Sequence, residues 1–297
     1  MTDSIPRWDL SNIYTGVEDP QLALDMSVLK DETIALTRFF ENDLLPLEKT
    51  QANPELLSKH LNHLVNLMNS INTQAGTIGS YLYGLTSTDS FDKAAEQLQS
   101  QFHIGLLPYR NISVRIAAWL GKIADQLPAA LSIPGAAHEH AFFLMEEAEQ
   151  SQYLMSESEE ELANELSLSG GSAWGDLQGT STSQKQVQFE IDGKVETLPL
   201  PALINMRSHP SPDVRERAYH LEQATFEDMK ETLAACLNGV KGTVNTLDRK
   251  RGREDSLHSS LDSARIDRQT LDAMLAAIQD ALPMFRSYFQ AKAKLLG

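Results

Sequence analysis

Cysteine is nearly absent: Cys236 is the single one in 297 residues. No disulfide can form within the chain and no Cys-based zinc cluster can be assembled, so a reducing, cytoplasmic setting is expected. Basic side chains are in deficit too, 25 Lys and Arg against 41 Asp and Glu, for a formal net charge of −16. A nucleic-acid binder needs basic surface to neutralise phosphates, and docking on anionic lipid needs the same; neither partner is expected. No uninterrupted apolar run approaches the roughly 20 residues that span a bilayer. The opening MTDSIPRWDL lacks the apolar stretch of a secretory leader. There is no G-x-S-x-G elbow, no P-loop and no G-x-G-x-x-G, so nucleophilic-serine and nucleotide chemistry lack their usual scaffolds. The helical zinc motif H-E-x-x-H is absent as well.

What is present reads as a folded protein. Hydrophobic residues at 41% and charged residues at 22% are ordinary for a globular chain and too apolar for a disordered one. Most of it has helical period. Asp19-Pro20 is a helix start, since Asp caps and Pro suits the first turn. Leu22, Met26, Leu29, Thr33, Leu36 and Phe40 then recur at alternating spacings of four and three until Pro46 breaks the pattern. Asn53-Pro54 repeats the start signal. Behind it Leu57, Leu61, Leu64, Met68, Ile71, Ala75, Ile78, Leu82 and Leu85 alternate without a miss, which predicts a long helix with one buried seam. The short loop before it favours a helical hairpin with the preceding helix over a two-chain coiled coil. Gly76 and Gly79, beside the seam, are candidates for close approach of a neighbouring helix.

A third helical stretch runs from about Ser90 towards Leu127, with Pro108 expected to kink or split it. Ser156-Glu157-Ser158-Glu159 has the form of a capping box ahead of a short helix carrying Leu162 and Leu166, which Gly170-Gly171-Ser172 should end. The texture then changes. Val187, Phe189 and Ile191 alternate with polar residues, Asp192-Gly193 is a favoured two-residue turn, and Val195 and Thr197 continue on a return strand. Pro199 and Pro201 close this single hairpin. Asp213, after Pro210 and Pro212, opens another long helix to about Leu247. A last one starts near Asp267 and runs towards the terminus, with Pro283 as an expected kink.

Few residues suggest chemistry. His138-Glu139-His140 begins like the zinc motif, but Phe142 stands where the second ligand must be, four residues after the first. Surface histidines are expected there. His60 and His63 are spaced for a metal pair but lack a third ligand. Glu157, Glu159, Glu160 and Glu161 complement a helix N-terminus. Arg249-Lys250-Arg251-Gly252-Arg253 reads as the basic last turn and glycine stop of a helix, with contact to an acidic partner as the alternative. Cys236, among Leu233, Leu237 and Val240, reads as a buried inert thiol.

Several segments carry a family resemblance in order along the chain. They are Arg7-Trp8-Asp9-Leu10-Ser11-Asn12-Ile13-Tyr14 followed by Asp19-Pro20, then Tyr153 to Glu160, Trp174-Gly175-Asp176-Leu177 before the hairpin, Asp213 to Tyr219, and Tyr288 to Gly297. Together they resemble the N-terminal half of an oligoendopeptidase F-type, thimet oligopeptidase-like zinc metallopeptidase. The resemblance implies a mainly α fold, with long antiparallel helices forming part of a two-lobed, channel-containing shell and one small β-hairpin. It implies a helical lobe over 1–130, a hairpin-bearing region over 131–200, and the first helices of a catalytic lobe over 201–297, stopping before the zinc motif. In the family, two His and a Glu hold one zinc and a second Glu activates water on short peptides. No position here matches those residues, so no catalytic or metal residue carries over and no zinc is expected on this chain alone. Val187, Phe189 and Ile191 are the expected channel-facing residues, with strand addition at the hairpin as a way to hold peptide. The expected partners are short peptides and the C-terminal catalytic half. The alternative is a catalytically inactive, stand-alone helical peptide-binding or scaffold protein.

Overall fold

Asp19 sets the first helix. Its carboxylate accepts from the backbone N–H of Thr15 at 2.7 Å and of Gln21 at 2.8 Å, bonds that hold it below the ordinary carboxylate range. Pro20 fills the first turn, and α1 runs Pro20–Phe39. In the computed structural model, which describes residues 9–49 and 52–296, the expected seam faces inward. Leu22, Leu29, Thr33, Leu36 and Phe40 are buried, and the Thr33 hydroxyl is satisfied by donating to the Leu29 carbonyl at 2.9 Å. Around Pro46 the helix loosens into a π turn, Phe40–Leu44, and a 3-10 turn, Leu45–Lys49.

Asn53 caps α2, Pro54–Thr88, through a 2.8 Å bond from the Glu55 N–H. Leu57, Leu61, Leu64, Ile71, Ile78 and Leu82 are fully buried, and Met68, Ala75 and Leu85 pack against them. α1 lies along α2 as the expected hairpin. The opening motif closes its end. Tyr14 is buried edge-on to Tyr81, ring centres 4.9 Å apart, and its hydroxyl donates to Asp25 at 2.7 Å. Burial first, and the Asp25 carboxylate next, push the Tyr14 phenol up. Arg7 and Trp8 of that motif, and Gly297 of the last one, lie outside the described residues.

Pro108 does split the third stretch. α3, Lys93–Gly105, is capped by Asp92, and α4 follows as Leu107–Lys122. The break falls at Leu106 because Pro108 is tolerated in the first turn of a new helix. Of the two glycines beside the α2 seam, only Gly79 meets a neighbour: a side chain there would sit 3.3 Å from the Phe102 ring of α3, whereas Gly76 faces open space. The short helices α5, Leu127–Leu131, α6, Ala136–Glu139, and α7, Ala141–Gln150, pack back on α2 and α4. Asn62 of α2 receives the Ala137 N–H at 2.7 Å and fixes that return.

The capping box at Ser156 opens α8, Glu157–Ser169, with both of its reciprocal bonds present. Gly170 ends it as expected, but a further helix, α9 at Gly171–Gln184, begins at once. A helix between Gly170 and the hairpin was not foreseen from the sequence. Trp174 of α9 lies against α11, Pro212–Lys250, where a side chain in place of Gly239 would sit 2.3 Å from its ring. The strands β1, Gln186–Ile191, and β2, Lys194–Pro199, pair antiparallel in the register Ile191↔Lys194 to Gln186↔Pro199. Asp192 and Gly193 both have positive φ, 51° and 75°, as a type I′ turn requires. α10, Leu200–Asn205, follows.

Two hydrophobic cores result among the described residues. One gathers Tyr14 to Ala148; the other gathers Val187, Phe189, Leu200, Leu203, Val214 and Ala218. The chain as a whole forms two compact units, Met1–Thr243 and Val244–Gly297. The domain boundaries expected at 130 and 200 both fall inside the first unit, because the first core continues to Ala148 and the second joins the hairpin to α10 and α11 across residue 200. In the second unit, Gly252 at φ +70° ends α11, with the Arg253 N–H returning to the Asp248 carbonyl at 2.9 Å. The Arg253 guanidinium pairs with Asp262 of a short helix not foreseen from the sequence, α12 at His258–Ala264. The basic run thus includes a helix stop. Asp267 caps α13, Arg268–Leu296, which continues through Pro283.

The α2 seam generates a direct test. Leu64 is 0% exposed, so Leu64→Asp would bury a carboxylate without a partner. It is expected to cost on the order of 4 kcal/mol or more and to unfold or severely destabilise the helical lobe. Thermal melting checks this, and an unchanged midpoint would mean that the seam does not face a core.

Candidate functional site

The β-hairpin carries the residues expected to face a channel. Period-two alternation places Val187, Phe189 and Ile191 on one face of β1. Val187 and Phe189 are 8% and 4% exposed and pack with Leu200, Leu203, Val214 and Ala218; Ile191 is partly buried beside them. These side chains bind the hairpin to α10 and α11. They serve as core, and what the hairpin offers to solvent is its other face and its strand edges. Gln188 and Thr197 meet across that face at 2.7 Å, and Val195 stands 67% exposed.

Arg217 secures the hairpin from α11. It pairs with Asp213 at 2.9 Å, one helical turn back, and its guanidinium lies 5.3 Å from the Phe189 ring centre. It also donates to the Glu190 carbonyl oxygen at 2.9 Å. Its neighbour Arg215 donates to the His209 and Pro210 carbonyls at 2.7 and 2.9 Å, fixing the turn into α11. Glu222, buried at 1% exposure, receives Arg207 at 2.8 Å. That bond raises the Arg207 pKa. Asp213, Arg215 and Arg217 belong to one motif of the sequence, but their division between turn, hairpin and core became visible only in the fold.

The histidines are engaged with the protein itself. His138 Nδ1 is 2.7 Å from the Leu131 carbonyl, and His140 Nδ1 is 2.9 Å from that of Ala136. His140 Nε2 also meets the Asn69 amide at 3.4 Å. His60 and His63 pack around Phe39, with ring centres 5.9 and 4.5 Å away. Among the described residues no three His, Cys, Asp or Glu side chains converge. The donors among the described residues do not form a set that fits a zinc ion. Cys236 is buried at 2% exposure. Glu160, read from sequence as part of an acidic helix start, is 1% exposed and accepts the Met155 N–H at 3.1 Å; it braces the α8 entry from inside.

Sequence reasoning also missed a pocket of about 140 Å³ bordered by Phe40, Leu45, Trp119, Leu154 and Met155. Its cations are already paired. Arg115 bridges Glu41 at 3.1 Å and Glu157 at 3.0 Å, and Lys122 meets Glu48 at 3.0 Å. No motif could have signalled it, because its walls come from separate stretches of chain.

Residues 124–185 match the family model described as Oligopeptidase F. No curated protein matches the sequence. Among solved structures, the fold is similar to the crystal structure of oligoendopeptidase-F from Enterococcus faecium, with a TM-score of 0.75 at 14% identity. The match covers 93% of this chain and 53% of that one, so the chain spans about half the length of the protein it resembles.

The histidine geometry generates the expectation that dialysed protein contains no stoichiometric zinc. Elemental analysis checks it. One tightly held zinc per chain would contradict the side-chain placements at His60, His63, His138 and His140.

Proposed function

We propose that this chain, an N-terminal half of an oligoendopeptidase F-type peptidase by family model and fold, forms the wall of a peptide channel. It restricts access to short, unstructured peptides, and peptide-bond hydrolysis is carried out by a zinc-bearing C-terminal half. The observation that carries the reading is the similarity of 93% of the chain to about half of oligoendopeptidase-F. Hydrolysis of a peptide bond needs an activated water, a proton acceptor and a group that stabilises the developing oxyanion. His60, His63, His138 and His140 are taken up by backbone carbonyls and by Phe39, and we read this chain's contribution as holding and selecting peptide.

The last helix supports the same reading. α13 has no buried side chain along 29 residues, yet Leu275, Ile278, Leu282, Phe285 and Phe289 recur at spacings of three and four on it, all exposed. A seam of that kind is the mark of a helix face that packs against another surface. We assign it to the catalytic half. No helix among the described residues is long and apolar enough to cross a membrane. We place the protein in the cytoplasm from its single, buried cysteine, and its net charge of −16 speaks against nucleic acid as a partner.

Turnover of a quenched fluorescent peptide tests the proposal. The isolated chain is expected to give none, and the chain continued into a C-terminal half is expected to cleave in a chelator-sensitive way. Chelator-sensitive cleavage by residues 1–297 alone would overturn the division of labour. No cleavage by the joined protein would overturn the peptidase reading and leave a helical binding or scaffold protein.

A further inference from the structure

The hairpin has two outer edges, and they differ. A two-residue turn makes Ile191↔Lys194 the closing hydrogen-bonded pair. Antiparallel pairs alternate, so Glu190↔Val195 and Gln188↔Thr197 are non-hydrogen-bonded pairs whose N–H and C=O groups point away from the partner strand. The Glu190 carbonyl confirms the phase: it points outward and receives Arg217 at 2.9 Å. The β1 edge is therefore occupied there by a guanidinium anchored on α11. On the β2 edge, neither Val195 nor Thr197 has a main-chain hydrogen bond outside the sheet among the described residues.

We propose that the outer edge of β2, at Val195 and Thr197, captures an extended peptide as a third main-chain hydrogen-bonded strand. The proposal rests on the reading of this chain as a peptide-channel wall and names the element that holds the peptide. Both residues are exposed, Val195 at 67%. The edge is short by construction. Lys194 begins the strand, and Pro199, without an N–H, ends the run of outward-pointing donors. Two N–H and two C=O groups remain, enough to pair with residues j and j+2 of a peptide.

Exposed edges are usually blunted by bulges, prolines or charges because they recruit other strands. Here the open part carries a valine and a threonine on its solvent face. The opposite face is held down by Phe189 and Val187, with Leu198 packed beside them, so the edge is ordered before a peptide arrives and less freedom is lost on binding. Recognition through main chain alone tolerates many sequences and rejects folded proteins, which offer no free strand. Val195 adds a preference for an apolar side chain beside it.

The test uses chain 1–297 and an unstructured, apolar-rich peptide that is not cleaved, with fluorescence anisotropy for binding and residue-resolved amide exchange for location. The Val195 and Thr197 amides are expected to gain roughly tenfold protection with peptide bound, and N-methylation of alternate peptide residues should weaken binding roughly tenfold in one phase only. Thr197→Pro removes an outward N–H and none of the hairpin's own bonds, so it should weaken binding without changing the melting midpoint. If that variant misfolds, the N-methylated peptides still decide the matter. Peptide binding with Val195 and Thr197 unprotected, or equal weakening in both methylation phases, overturns the edge proposal and leaves the channel-wall reading standing. No binding of any peptide at millimolar concentration overturns both.

Discussion

The seam of α2 is the constraint on which the rest of the first unit depends. Leu57, Leu61, Leu64, Ile71, Ile78 and Leu82 are fully buried on one stripe, and burial of each such side chain is worth about 2 kcal/mol before entropy is counted. A stripe of this length needs more than one neighbour to cover it. α1 covers it along one side, Phe102 of α3 meets it at Gly79, and α5 and α6 return to its N-terminal half. Polar contacts then choose among the packings that hydrophobic burial would allow. Asn62 receives the Ala137 N–H, Ser70 donates to Glu32 at 2.9 Å, and Tyr109 donates to Asn72 at 2.8 Å. Each ties a neighbouring element to α2 at one register.

The hairpin obeys a different logic. Two strands alone are marginal in water, and this pair persists because one face is absorbed into the second core. That solution has a consequence for function. The side chains best suited to hold an apolar ligand, Val187 and Phe189, are consumed in anchoring the strands to α10 and α11. Under the proposed edge capture, what remains for binding is backbone geometry. Arg217 sharpens the asymmetry, since its reach to Phe189 and to the Glu190 carbonyl leaves the two edges chemically distinct.

Charge enters as local structure more than as a field. Several of the acidic residues sit at helix starts, as Asp19, Asp92, Glu159 and Asp267 do, where they accept backbone N–H groups that would otherwise be unpaired. The Asp19 carboxyl is held below its ordinary range by those bonds, and the Asp267 carboxyl by the Thr270 side chain and then the Thr270 N–H. These two caps are therefore in force at neutral pH, and their contribution is lost as pH falls through their lowered carboxylate range.

The sequence by itself determined the helical periods, the caps at Asp19, Asn53 and Ser156, the turn at Asp192-Gly193 and the mainly α class with one hairpin. All of these are local: spacing of apolar residues, a side chain reaching an N–H two or three positions on, and positive φ at two adjacent residues. The family resemblance was legible for a similar reason, because its motifs sit at helix starts and turns. Tertiary structure alone decided which face of the hairpin is core, that Glu160 and Glu222 are buried, that Arg217 closes one strand edge, and that α9 is a helix packed on Gly239. Each depends on contacts between residues distant in sequence or on burial, and neither is encoded in spacing. Where the first core ends is of the same kind: a core ends where packing ends, and the side chains around Ala148 and Leu200 carry no local mark of which partners they will meet.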